Sequence, residues 1–411
     1  MATWSDDLTC ASVPRSLVSV PGSRPPLPRG FGAIWSSVAL DLVGFGIVLP
    51  ILPQYAKRFG ASSFIAAALV AAFSGAQLVF SPFWGRVSDR IGRKPVLVLS
   101  LAGTAVGSLV TGLAGALWVL FLGRVLDGIS GASVSVAQAS VADVAPPEQR
   151  ARLLGLLGAA FGLGFVAGPA IGALAALGGP RLPFLVAAVL AAVNAVAAAR
   201  RLPETHVVGQ AARRPLLDLA AWRAQGLAPL LTTTFVALTA FSGFEATFSL
   251  FARDRLGFRL ASTGATFTGV GVLIVLVQVR LVGPAVRRLG EQGTVRTGLL
   301  LNAGGMLALT VVHSVGGLAV ALVALVTGQG LASPTLASLV AGRARASQRG
   351  AVLGVQQAAG GLARVVGPLA GGALYGHVGI PAPYLAGAVL MAGATALAAG
   401  RPGTSPGAPV D

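Results

Sequence analysis

Between residues 31 and 400 the chain is a succession of long apolar runs, and its charges fall almost entirely in the short stretches that separate them. A bilayer core of about 30 Å takes roughly 20 helical residues, and backbone groups that meet no water there must pair within their own segment. Each long run is therefore expected to be a transmembrane helix. Twelve are predicted, over about 31–54, 63–84, 95–114, 117–141, 152–178, 182–200, 228–251, 262–282, 294–313, 316–341, 350–376 and 382–400. Charged residues make up 10% of the chain and hydrophobic ones 55%, whereas soluble domains carry about 25% charge. The fold class expected is all-α integral membrane. The abundant Gly and Ala within the runs let helices approach closely in lipid.

A formal charge of +17 would suggest nucleic acid for a soluble domain, but these cations sit in loops between apolar runs, so no nucleic-acid partner is expected. With the N-terminus inside, six of the 30 Lys and Arg residues lie on the outer side: Lys57, Arg58, Arg181, Arg253, Arg255 and Arg259. Arg124 and Arg364 fall within the membrane, and all the others lie on the inner side. That bias predicts cytoplasmic termini in a multi-pass protein of the inner (cytoplasmic) membrane. The longest polar interruption divides the spans six and six. It sets expected boundaries of a disordered tail at 1–29, a first bundle at 30–200, a cytoplasmic linker at 201–227, a second bundle at 228–400 and a tail at 401–411. Residues 1–29 lack the apolar core of a cleavable signal peptide. A single cysteine, Cys10, permits neither an internal disulfide nor a cysteine metal cage. His206, His313 and His377 are read as surface residues, no metal site is expected, and the absence of a catalytic constellation argues against an enzyme.

Between the second and third runs lies Gly85-Arg86-Val87-Ser88-Asp89-Arg90-Ile91-Gly92-Arg93-Lys94-Pro95, three arginines, a lysine and a carboxylate in a tight turn. A second copy, Gly283 to Glu291, occupies the same place half a chain later. Gln149-Arg150 with Leu154-Gly155 recurs as Gln348-Arg349 with Leu353-Gly354, and Gly168-Pro169 as Gly367-Pro368. Such a half-length repeat points to a transporter, because two similar bundles can rock about a central site. Gly85 and Gly92 allow close turns. Asp89 is placed to accept from unpaired N–H groups at the start of the eleventh helix, and Asp143 to pair with Arg90 or Arg93. Together with Lys94 these residues form a candidate latch holding the halves outward-facing.

The chain resembles the major facilitator superfamily, in its twelve-helix drug:proton antiporter branch that includes bacterial tetracycline efflux proteins. Asp41-Leu42-Val43-Gly44-Phe45-Gly46 with Pro50 and Pro53, the Gly85–Lys94 loop, Arg124 with Gly128, and Gly164, Gly168, Pro169 and Gly172 carry the resemblance, which covers roughly residues 31–400. It implies two pseudo-symmetric six-helix bundles and proton-driven export. Tetracycline exporters use an acid in helix 3 and another in helix 9; the matching positions here are Gly107 and Asn302, which argues against tetracycline as substrate. Ala173 stands where a second glycine often ends the helix 5 motif, while Gly371-Gly372 keeps both in the other half.

An ionised group at mid-membrane costs about 2.5–3.5 kcal/mol or more. Asp41, Arg124, Asp127, Glu245 and Arg364 therefore need partners, water or a function. Asp41, near half depth, can carry a coupling proton or tie helix 1 to a neighbour. Glu245 is its counterpart, expected about two turns from the outer end of helix 7. Arg124 and Asp127 share a helix 4 face with Gly131, Ser135 and Gln138, either as an internal ion pair or as a titrating acid set by its cation. Arg364 packs against carbonyls or senses substrate. The helix 5 glycines are expected to pack across the interface between halves. A cavity lined by helices 1, 4, 7 and 10 would offer Phe45, Gln138, Phe244 and Gln329 to substrate.

The expected function is export of a hydrophobic small molecule in exchange for protons by a monomer that needs no cofactor beyond the proton gradient. The alternatives are a proton-linked importer of a sugar or metabolite and a non-transporting receptor or scaffold.

Overall fold

The computed structural model describes residues 27–28, 30–205, 227–344 and 349–399. Among them the regular structure is entirely helical. Fourteen helices make twelve spans, because the first and fourth spans are each broken in two. They are α1 (Phe31–Val48) with α2 (Leu52–Lys57), α3 (Ser63–Ile91), α4 (Arg93–Gly112), α5 (Leu117–Ser130) with α6 (Ser133–Val144), α7 (Pro147–Leu177), α8 (Leu182–Arg201), α9 (Leu227–Leu256), α10 (Leu260–Arg280), α11 (Val282–Leu309), α12 (Val315–Arg343), α13 (Arg349–His377) and α14 (Ala382–Ala399).

The first break is written in proline. Pro50 has no N–H to give to the preceding turn, so α1 ends at Val48 and the chain restarts as α2 with Pro53 in its first turn. The loop motif and its copy turn on glycines in the left-handed region, Gly92 at φ 100° and Gly290 at φ 69°, where a side chain is disfavoured. Gly290 lies inside α11, so that element is a short loop helix followed by the ninth span. α9 runs five residues past the predicted end, because Arg253, Asp254 and Arg255 continue it as a charged last turn.

The first six spans form one bundle and the last six the other. A closed circuit of packed helices surrounds the centre: α7, α1, α5/α6, α3, α13, α9, α12, α10 and back to α7. α4, α8, α11 and α14 stand behind it. Two junctions join the bundles, α7 with α10 and α3 with α13.

Both junctions are tight at the end away from the termini, here the distal end, and part toward the terminal end. A Cβ added at Gly264 would lie 3.0 Å from the Ala173 methyl, and one at Gly162 3.1 Å from Val275. One and two turns nearer the terminal end on that same face of α7, Gly158 and Gly155 have nothing within 4 Å. At the other junction a Cβ on Gly372 would meet Ala67 at 2.5 Å and one on Gly361 would meet Leu78 at 2.9 Å, whereas Gly354 and Gly85 face open space. The central cavity is thus open at the terminal end and sealed at the distal end. Fully buried Tyr55, Phe184, Phe248, Phe251 and Tyr384 belong to an apolar core that crosses both bundles behind the seal.

Candidate transport pathway

Asp41 lies at mid-span on α1, half-buried, and accepts a hydrogen bond from the Ser133 hydroxyl. The break in the fourth span puts Ser133 there. Gly131 leaves helical geometry at φ −72°, ψ 48°, so α5 stops at Ser130 and α6 restarts at Ser133. Backbone groups freed at membrane depth must find partners. Here Gln77 Nε2 donates to Gly131 O at 2.8 Å, Trp84 Nε1 to Ile129 O at 2.6 Å, and Ser100 Oγ donates to Ser130 O while accepting from Ala132 N–H at 3.2 Å. The predicted continuous face through Arg124, Asp127, Gly131, Ser135 and Gln138 does not exist, because an unwound turn divides it. Sequence reading missed Ser133; a run of Gly and Ser within an otherwise apolar span was its only signal.

Arg124 and Asp127 are both buried and form an ion pair at 3.0 Å. Arg124 also donates to Thr111 Oγ1 at 3.2 Å, while its Nε has no partner among the described residues. Asp41 lies close enough to Asp127 to feel its charge. Gly107, the position where the resemblance implied a helix 3 acid, is pressed against this pair: an added Cβ would sit 2.8 Å from Asp127 Cβ and 2.8 Å from Gly123 O. No carboxylate fits on α4 there.

In the second bundle Glu245 is half-buried and eleven residues from the end of α9, so it is about three turns in rather than two. The extra charged turn of α9 accounts for the difference. The opposing charge that acts on it is that of Arg364 on α13, and no ion pair or hydrogen bond joins either residue to another among the described residues. Arg364 is exposed. It lies between the α13 stripe that meets α9 (Gly360, Gly367, Gly371) and the stripe that meets α3 (Gly361, Val365, Gly372), which is the sector facing the cavity.

Phe244 does not line the cavity. It is 3% exposed and packs against Phe241, Phe248 and Tyr384, since its side of α9 turns back toward α14. Gln329 is half-buried and accepts from Asn302 Nδ2 at 3.1 Å, so an amide pair occupies the helix 9 position where the resemblance implied an acid. Phe45 is half-buried against Phe73, ring centroids 5.5 Å apart, and Gln138 is half-buried on α6.

At the terminal end Arg93 organises the loop. It meets Asp89 at 2.6 Å, Asp143 at 3.0 Å and Ser88 Oγ at 2.6 Å, and it is Arg93 rather than exposed Arg90 that takes Asp143. Sequence reading assigned no role to Glu204. From beyond α8 its carboxylate accepts from the N–H groups of Arg93 (2.8 Å) and Lys94 (3.2 Å), closing the start of α4. The residues at the start of the eleventh span to which Asp89 was expected to reach include 345–348, outside the described residues, as are Cys10 and His206.

Of the helix 5 glycines, Gly162 meets Val275 across the interface, whereas the motif glycines Gly164, Gly168 and Gly172 face inward to their own bundle. Gly164 lies against Leu42, Gly168 against Gly46 and Gly172 against Ile47, all on α1. The neighbouring stripe, Phe165, Pro169 and Ala173, makes the contact with α10. One residue along a helix is a rotation of about 100°, which moves a side chain from one neighbour to the next.

Two six-span bundles around a cavity sealed at one end define a multi-pass membrane transporter. The family model of the Major Facilitator Superfamily matches residues 34–368 and, in an overlapping match, 281–410, and the chain belongs to that superfamily. It is 32% identical over 350 residues to the tetracycline resistance protein, class B, of Escherichia coli, covering 82% of this chain and 86% of that one. It is 31% identical over 379 residues to multidrug resistance protein 2 of Bacillus subtilis (strain 168), covering 88% and 93%. The crystal structure of the human organic anion transporter MFSD10 (TETRAN) superimposes with a TM-score of 0.70 at 26% identity, over 91% of this chain and all of that one.

Proposed function

We propose that the protein exports a hydrophobic small molecule or drug across the cytoplasmic membrane in exchange for protons, by alternating access. The observation that carries this reading is the placing of Asp41. A half-buried carboxyl at mid-span, held by one serine hydroxyl at an unwound turn, lies where the cavity wall is neither lipid nor bulk water. Protonation there changes the charge of the wall, and a carboxyl in such surroundings exchanges its proton more readily than one held in a full ion pair. Asp127, fixed by Arg124, is a second acid that can respond when Asp41 changes charge, and Glu245 with Arg364 provides a charged pair on the opposite wall. Exchange follows if proton and substrate favour opposite openings of one cavity.

The names of the relatives support a drug as substrate, and the glycine and amide at positions 107 and 302 support one other than tetracycline. The distribution of loop cations supports a cytoplasmic terminal end, which makes the observed opening inward-facing. The bundles then extend over 30–200 and 228–400, joined by a cytoplasmic linker at 201–227, in a monomer without a cofactor. In everted membrane vesicles, dye or drug uptake should follow an imposed pH gradient. Asp41→Asn should abolish gradient-driven uptake while leaving downhill exchange of substrate. Undiminished gradient-driven uptake by that variant would overturn the coupling role.

A further inference from the structure

Cations on the outer side of a membrane protein run against the bias that sets its orientation, so the few that occur there ask for a reason. Of the six at the distal end, Arg181 donates to Ala114 O at 3.4 Å, and Arg255 donates to Val312 O at 3.4 Å and meets His313 Nε2 at 2.7 Å. The other four, Lys57, Arg58, Arg253 and Arg259, converge on one cleft of about 780 Å³ between the bundles. Two come from each bundle. Asp254 is the carboxylate beside them, and it is already engaged by Arg253 at 2.8 Å and by the Tyr375 hydroxyl at 2.9 Å. Lys57 has one hydrogen bond, to Ser63 Oγ at 3.1 Å, and lies within the field of Arg253. The side chains of Arg58 and Arg259 have no partner among the described residues.

Like charges on two surfaces repel, yet these surfaces are held together here. Gln54 forms part of the cleft lining and is 6% exposed; its Nε2 donates to Ser249 O at 2.6 Å and to Thr263 Oγ1 at 2.9 Å on the opposite bundle. Two uncharged hydrogen bonds face an excess of positive charge. Guanidinium groups match phosphate and carboxylate oxygens in a fork geometry, and an ammonium adds a point charge. The cleft rim also includes Leu177, 74% exposed and continuous with the lipid-facing side of α7, where Leu174 is 69% exposed.

We propose that this distal cleft is a binding site for a phosphate-class anion, a lipid phosphodiester headgroup or free phosphate, whose occupant bridges the two bundles and holds the distal end shut. The site uses none of the coupling residues and does not depend on the direction of transport.

The test measures the distance between the distal ends by pulsed electron resonance. Spin labels are carried at Gly115→Cys and Gly316→Cys, both in open space, in a Cys10→Ser background. One arm places the protein in detergent with inorganic phosphate against chloride at equal ionic strength. The other uses nanodiscs of phosphatidylcholine with and without phosphatidylglycerol. Phosphate, phosphatidylglycerol or both should raise the short-distance population. Arg58→Gln with Arg259→Gln should weaken the response by about tenfold for each guanidinium removed. Neither arginine has a side-chain partner among the described residues, so folding should be kept, and an unchanged melting temperature verifies it. A response to phosphatidylglycerol alone identifies a lipid headgroup, and a response to phosphate alone a free ion. No response in either arm, or an equal response in the double variant, overturns the site. Asp41→Asn should keep the anion response, which separates failure here from failure of the coupling mechanism.

Discussion

Gly107 is pressed against both the Asp127 side chain and the backbone of α5, so a side chain has no room at 107. Since a Cβ at 107 would stand 2.8 Å from that of Asp127, the carboxyl at this point of the bundle comes from α5 rather than α4. Overpacking of this kind costs about 1–3 kcal/mol, and a second acid would add charge repulsion. Gly107→Asp should therefore lower the melting temperature in detergent, and adding Asp127→Gly should not restore it, because the backbone N of residue 127 and the Gly123 carbonyl would still stand 2.8 Å from the new Cβ. Arg124 gives the pair its stake in stability. Removing one partner of a buried ion pair leaves an uncompensated charge, at about 3–5 kcal/mol. Asp127→Asn alone should destabilise by that order, while Arg124→Gln with Asp127→Asn should cost much less than the two single changes together, as read by thermal unfolding.

At the scale of elements, the departure at Ala173 has a physical counterpart. The two junctions between bundles are related by the internal repeat: Ala173 of α7 meets Gly264 of α10, and Gly372 of α13 meets Ala67 of α3. Each contact holds one methyl, carried by opposite partners. Gly264→Ala should crowd its junction and reduce transport, and adding Ala173→Gly should restore it, whereas Ala173→Gly alone should be mild; initial rates in vesicles decide this. The twelve spans, the repeat and the embedded charges were legible because lipid makes hydropathy decisive and leaves few reasons for an intramembrane charge. The break at Gly131 was not legible. No proline marks it, and what stabilises it is a set of donors and acceptors, Gln77, Trp84 and Ser100, from two other helices. Glu204 was hidden for the same reason, since its partners are backbone N–H groups more than a hundred residues away. Phe244 was misplaced because helix 7 is apolar nearly all round, so periodicity could not say which side faces the cavity.

For the whole molecule, what has to change in a transport cycle is the set of contacts at the distal end. The junctions there rest on small residues in close contact, which form and part without unpairing backbone, and on Gln54, whose two bonds join α2 to α9 and α10. A neutral amide suits a gate: a net contribution of about 0.5–1.5 kcal/mol per hydrogen bond is enough to bias an equilibrium and too little to lock it. Gln54→Leu removes both bonds and leaves the buried Thr263 and Ser249 groups short of a partner, so it should shift the population toward distal opening. Access at the other end reports the shift. Gly158→Cys, in a Cys10→Ser background, lies on the open face of α7 and should react readily with a membrane-impermeant maleimide offered from the terminal side. Gln54→Leu should slow that reaction severalfold, in keeping with the loss of one or two such bonds. Equal rates with and without the substitution would mean that Gln54 bridges the bundles without governing which end is open.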